Sequence, residues 1–370
     1  MSNFYNTNFD TVDPMIKIPL IALCSLLFIL PCVAKNNQKD EKLIVYPDKA
    51  HTQILDEISK AKKTIDISVY HLKDPKLVDL LIKKKNDKVA IRIITDSVQY
   101  DHAFNKANAT DAYKKLRNAG IPVRSTPAGI QKAHPKGHYH AKFILIDDTK
   151  LLLTSGNFDE TTFDYCRDFG VILEAKSNPK EIESLKSLFL SDWENRPASV
   201  TKDSSLLVGP EGQRKKLIEF LLSAKKSLNV YQQYLNDPEI LKTLATVLNR
   251  GVNVHVLMMP FPTGYDLDPN VHAQNFLKES GAKVKLVTGY YVHTKLIIVD
   301  EEIALMGSVN LAQSAIDENR EVSIFLTGSV VKQILSTFRW DWSEALSLAA
   351  GRKYALKKKT DWNQIFRKVL

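Results

Sequence analysis

The chain has 370 residues, 44% hydrophobic and 25% charged, with a formal net charge of +9. That balance belongs to a globular chain and excludes a disordered one, and the length allows two ordinary cores. The basic excess favours anionic partners (phospholipid surfaces, nucleic acid or phosphorylated small molecules) without choosing among them.

In chain order, Lys17 comes first, before a 13-residue apolar stretch, Ile18–Leu30, within a segment that stays apolar to Ala34. Cys32-Val33-Ala34 before Lys35 offers a signal-peptidase site. Residues 1–34 therefore read as a secretory signal peptide, with Met15 as an alternative start, and the protein as secreted or periplasmic. The competing reading is an uncleaved membrane anchor through residues 18–34, short for a span. A lipoprotein signal at Cys32 is disfavoured by Pro31. Cleavage would leave Cys166 as the single cysteine, without a disulfide framework.

Residues 35–198 and 199–350 then read as two copies of one unit. Leu43–Pro47, Ala61-Lys62-Lys63 and Asp74-Pro75 recur as Leu207–Pro210, Ala224-Lys225-Lys226 and Asp237-Pro238 at an offset of 163. Each copy predicts an amphipathic helix (Ile54, Ile58, Ala61 in the first), a strand (Thr64–Tyr70 or Ser227–Tyr231), a helix and a further strand (Val89–Thr95 or Val252–Met258). A variable insert follows, read as a long irregular loop shaping a pocket: about Ser97–Gly137 with Lys132, His134, Lys136 and His138, and about Pro260–Tyr291 with Tyr290 and Tyr291. The copies close on Phe189-x-x-Asp192-Trp193 and Phe338-x-x-Asp341-Trp342, with both tryptophans read as helix-end packing. A polar run, Asn195–Ser204, separates the copies. Alternating strands and helices predict an α/β fold of two similar sandwich domains with covered, mixed sheets. Residues 351–370 form a basic tail in which Trp362, Ile365, Phe366, Val369 and Leu370 share one helical face. That face suits either an anionic membrane or the protein's own core.

The chemistry concentrates after each insert. His140-x-Lys142 with Asp147 recurs as His293-x-Lys295 with Asp300; each His precedes an Asn by 17 positions (Asn157, Asn310) and each Asn an acid by 11 (Asp168, Glu321). Along a strand, alternate side chains share a face, so His and Lys point one way and the Asp the other. Asp147 and Asp300 are therefore read as structural, pinning the strand end. Two His, two Lys and two Asn around one cavity suit a phosphodiester: one neutral imidazole attacks phosphorus and the other, protonated, serves the leaving oxygen. The lysines and asparagines offset charge on the phosphate oxygens, so no metal or other cofactor is needed. Asp168 and Glu321 are expected to return beside the His of their own copy, orienting His140 and His293 respectively. Ser155 and Ser308 are given a supporting role. His134, His138 and His140 offer the alternative of a metal cluster, which Lys142 opposes.

These residues resemble the phospholipase D superfamily, whose signature is H-x-K-x4-D followed by G-S-x-N. The second copy fits throughout, ending Gly307-Ser308-Val309-Asn310. The first ends Thr154-Ser155-Gly156-Asn157, with Thr in place of the leading Gly. The resemblance covers roughly Leu43 to Trp342. It implies a pseudo-twofold pair of α/β/α sandwiches with the site at their interface, and a covalent phosphohistidine on the first-copy histidine, His140, with His293 as the acid. Both motifs lying in one chain, a monomer is expected. An exported hydrolase of phospholipid head groups is the leading expectation; a secreted non-specific nuclease and a cardiolipin synthase-like phosphatidyltransferase are the alternatives.

Overall fold

The computed structural model describes residues 41–98, 110–198, 204–260 and 268–356. The leader (1–34), the apolar tail positions from Trp362 onward, and parts of both inserts and of the Asn195–Ser204 boundary lie outside them.

Two mixed sheets repeat one strand order. The first runs Lys42–Val45, Phe169–Glu174, Lys150–Thr154, Phe143–Ile146, Thr64–Ser68, Ala90–Ile94, Val123–Arg124. The second runs Leu206–Val208, Val322–Thr327, Ile303–Gly307, Lys295–Val299, Ser227–Gln232, Asn253–Met258, Lys283–Leu286, with Leu346–Ser347 added at the far edge. In each, the last three shared strands are parallel and the others antiparallel. The helices after the first parallel strand start alike: Asp74 caps Leu77 N at 2.7 Å and Asp237 caps Ile240 N at 2.9 Å, each followed by proline in the first turn. Pro lacks an N–H that this turn would leave unpaired anyway, so Asp-Pro is a start signal.

Alternation along each His–Lys strand divides the apolar residues between two layers. Ile144 and Ile146 pack into the outer core of the first half, Ile297 and Val299 into that of the second. Phe143, Leu145, Leu296 and Ile298 face inward to a core built from both halves, filled by Ile182, Leu185 and Leu188 of helix Pro179–Trp193 and Ile334 and Phe338 of helix Ser329–Glu344. The halves are thus cemented by a shared apolar layer, where each fully buried Leu or Phe contributes on the order of 2 kcal/mol.

The inserts depart from the expected irregular loops. The first holds helices Thr110–Asn118 and Ala128–Ala133 and strand Val123–Arg124; the second holds helix Val271–Glu279 and strand Lys283–Leu286. Buried Tyr113 and Leu116, and Ala273 and Leu277, show the helical spacing that the surrounding charged residues dilute.

Candidate functional site

The site forms where the halves exchange backbone hydrogen bonds. Tyr291–Val292 pairs in parallel with Cys166–Arg167, and Tyr139 bridges to Arg320 in the same sense. His140 N donates to Arg320 O at 2.9 Å, and His293 N to Arg167 O at 3.2 Å. Each histidine is thereby docked against the residue preceding the other half's acid.

The acids consequently cross over, which corrects the expectation that each returns to its own copy. His140 Nδ1 lies 2.9 Å from both oxygens of Glu321, and His293 Nδ1 lies 3.0 Å from Asp168 Oδ2. An Nδ1–H donated to a carboxylate fixes the tautomer and leaves Nε2 for chemistry. Glu321 is fully buried and also receives Asn319 Nδ2 at 3.1 Å; Asp168 is fully buried and receives Ser155 Oγ at 2.5 Å.

The two dyads differ electrostatically. Burial pushes His140 down to about 4, with Lys142 and Lys295 adding to the fall and Glu321 opposing it. His140 is therefore neutral near pH 7. Against its burial, Glu321 is pulled below its ordinary value by its pairing with His140, by Lys142 and by a hydrogen bond from Ser308. Burial raises Asp168 to about 7, against the pull of Lys295 and of Ser155. Burial also lowers Lys295 to about 8 and Lys142 well below the usual lysine range, the latter with help from Lys295. Lys295 acts on Lys142, and both act on His140, so the two ammonium groups lie near one centre.

Lys142 Nζ donates to His140 O at 2.8 Å, and Lys295 Nζ donates to His293 O and, at 2.9 Å, to Gln233 Oε1. Asn157 and Asn310 are buried, and the Oδ1 of each has no hydrogen-bond partner among the described residues. The same shortfall at matched positions marks polar groups arranged for something other than the fold. Ser155 and Ser308 point toward the acids and the turn: Ser155 Oγ holds Asp168, and Ser308 Oγ donates to Val322 O at 3.2 Å.

Asp147 and Asp300 stand outside the centre. Asp147 accepts from Lys62, Lys63 and Thr64 N, and Asp300 from Lys225, Lys226 and Ser227 N, at 2.6–3.1 Å. Each sits at positive φ in a tight turn and pins the His–Lys strand to its neighbour. His134, His138 and His140 do not form a metal-ligand group; among the described residues no cluster of three or more His, Cys, Asp or Glu is so placed. Tyr291 is buried and its hydroxyl accepts from Gln233 Nε2, while half-buried Tyr290 lies under the Arg167 guanidinium at 4.0 Å. Trp193 stacks on Phe189 and Trp342 on Phe338.

The missed residues are Arg167, Arg320, Gln233 and the roles of Asp192 and Asp341. Buried Arg167 donates to Tyr46 O at 2.7 Å and to Asp341 Oδ1 at 3.0 Å; buried Arg320 donates to Gly209 O at 2.7 Å and to Asp192 Oδ1 at 3.3 Å. Tyr139 and Tyr231 hydroxyls complete the pairs on Asp192 and Asp341, at 3.0 and 3.1 Å. Arg167 and Arg320 keep the register of the acids beside them, a signal legible in the duplication.

A repeated α/β unit that pools one His, Lys, Asn and acid from each half defines a phospholipase D-type fold. The family model described as "Cardiolipin synthase, PLD-like domain" matches residues 54–193 and 217–342, and the chain belongs to that family. The chain is 24% identical over 326 residues to the major cardiolipin synthase of Bacillus subtilis, covering 78% of this chain and 66% of the relative. It is 26% identical over 343 residues to a cardiolipin synthase of Alkalihalophilus pseudofirmus, covering 82% and 66%. It thus spans about two thirds of the length of these relatives. Among solved structures, phosphatidylserine synthase of Haemophilus influenzae superposes with a TM-score of 0.67 at 14% identity, over 89% of this chain and 95% of that one. Polyphosphate kinase of Porphyromonas gingivalis gives 0.60 at 16%, over 87% and 56%. These last two likenesses concern the fold. Among the described residues no helix is long and apolar enough to cross a membrane.

Proposed function

We propose that this protein transfers a phosphatidyl group from one alcohol to another, in the manner the cardiolipin synthase relatives' names describe, and that hydrolysis is its side reaction. This revises the order of the sequence-based expectations, which put an exported hydrolase first. The observation that carries the proposal is the pair of crossed dyads with unlike environments.

His140 Nε2, neutral, attacks the phosphorus of a phospholipid. The P–O bond to the head-group alcohol breaks, and His293 gives that oxygen its proton. Lys142, Lys295, Asn157 and Asn310 hold the phosphate oxygens as charge moves onto them. In the second half-reaction His293 takes the proton of an acceptor alcohol, whose oxygen attacks phosphorus and expels His140. Both histidine side chains are nearly buried, 12% and 5% exposed. A covalent intermediate so shielded meets bulk water poorly, which favours an alcohol brought in as substrate. Cardiolipin has two phosphatidyl groups on one glycerol, so its formation by this route needs an acceptor that already carries a phosphate.

Incubating the full chain with phosphatidylglycerol in mixed micelles, with products resolved by mass spectrometry, tests this. Formation of the two-phosphate lipid with release of glycerol is expected. Phosphatidic acid alone would make the protein a hydrolase. We read the apolar leader as serving export or anchoring beside this substrate; fractionating cells that express the chain with and without residues 1–34 tests that role.

A further inference from the structure

One departure from the twofold repetition of the site lies beside His140. His138 lies two residues before His140 on the segment that bridges to the second half, so the two rings share a face. Tyr70 meets both edge-on, with centroids 5.8 Å from His138 and 5.2 Å from His140. The backbone here is fixed from the other half: His138 N donates to Asn319 Oδ1 at 2.9 Å, and Arg320 N to His138 O at 2.9 Å. Gly137 allows the approach, since a Cβ there would come within 2.1 Å of Glu318 O.

His138 Nδ1 lies 3.3 Å from Asp96 Oδ1, and the imidazole side chain stays 33% exposed while the carboxylate is 1% exposed. Asp96 is held rigidly, accepting from Tyr139 N at 2.5 Å, Val98 N at 2.7 Å and Thr126 Oγ1 at 3.3 Å. The hydrogen bond to Asp96 raises His138 above its ordinary value, with Asp96 and Glu321 charges adding and burial and Lys142 opposing. Tyr70, Asn319 and Arg320 also contact the residue.

By the same register the second half places Tyr291 where the first has His138, and Met259 where it has Asp96. Met259 Sδ accepts Val292 N at 3.2 Å, in the position where Asp96 accepts Tyr139 N. One wall of the centre therefore carries an ionisable ring on a buried carboxylate; its counterpart carries a buried tyrosine beside a thioether. The stretch Ala112–Ile146 leading past this wall contains no Asp or Glu, while Lys132, Lys136 and Lys142 lie in it. A centre whose His, Lys and Asn are repeated in both halves uses such a break to bind a donor and an acceptor differently.

We propose that His138, gripped by Asp96 on the wall beside His140, is a subsite for a second phosphate, one carried by the acceptor alcohol rather than the phosphate that reacts. The proposal rests on the phosphatidyl-transfer reading. Glycerol and glycerol 3-phosphate test it, because they offer the same kind of alcohol without and with a phosphate. In transfer assays on the full chain, His138→Gln should raise KM for glycerol 3-phosphate about tenfold, the loss of one charge-assisted contact, with kcat and the glycerol kinetics unchanged. His138→Lys should recover most of the loss. Equal losses with both acceptors would overturn the subsite. Calorimetric titration of glycerol 3-phosphate into each protein separates the two ideas. If wild type transfers to neither alcohol yet binds glycerol 3-phosphate about tenfold tighter than His138→Gln, the transfer reading fails and the subsite stands. Equal binding to both proteins, or none to wild type, would sink the subsite whatever the activity.

Discussion

Glu321 reaches from the second half to His140, and Asp168 from the first half to His293, so removing either acid acts on the histidine of the other half. Glu321→Gln should slow formation of the covalent intermediate about 100-fold, and Asp168→Asn, acting through His293 in both half-reactions, should slow its breakdown more than its formation. Rapid-quench measurement of head-group release distinguishes them: Glu321→Gln should lose the burst and Asp168→Asn keep it. The reverse pattern would exchange the roles of the two histidines. His140 also ties stability to pH. Its value falls from an ordinary 6.5 unfolded to about 4 folded, so between those values the unfolded chain binds the extra proton. This contribution is present above 6.5 and lost as pH falls through 4, amounting to a few kcal/mol at most. Denaturant melts of His140→Gln should show a shallower acid loss over that window than wild type; parallel curves would contradict the depressed value. The His, Lys, Asn and acid positions were legible because duplication repeats them. Which acid meets which histidine was not, because spacing along a chain carries no information on contacts between halves.

At the level of elements, the missing glycine of the first copy has a local explanation. Gly307 pairs with Ser323 on the neighbouring strand, and a Cβ at Gly307 would come within 2.4 Å of backbone Ser323 Cα and Val322 O and within 2.5 Å of the Ser323 side-chain Oγ. In the first half Thr154 pairs with Gly170, so the small residue has moved to the partner strand. The turn survives: Ser155 N donates to Phe169 O at 2.8 Å and Ser308 N to Val322 O at 3.0 Å. Gly307→Thr should therefore destabilise the protein by roughly 1–3 kcal/mol, and adding Ser323→Gly should restore part of it. Additive losses in a thermal double-mutant cycle would show that the exchange is not compensatory. The strand pattern and the Asp-Pro helix starts were readable from sequence. The helices inside the inserts were not, since buried positions such as Tyr113 and Leu116 are few among charged neighbours.

On the scale of the whole molecule, the halves share a core and are locked by Arg167 on Asp341 and Arg320 on Asp192, all four buried. Removing one member leaves a buried charge without its partner, so Arg320→Met should cost about 3–5 kcal/mol in denaturant melts, and Asp192→Asn together with Arg320→Met less than the sum. A cost near zero would mean the ion pair does not join the halves. The duplication made a twofold architecture legible, but not this lock, whose partners are separated by more than a hundred residues. The most direct test of a single centre assembled from both halves is intact-protein mass spectrometry of His293→Ala after exposure to phosphatidylglycerol, quenched in alkali. Expected is one phosphatidyl adduct, mapped by fragmentation to His140 and absent from His140→Ala. An adduct elsewhere, or none in a protein whose wild type turns over, would contradict the account.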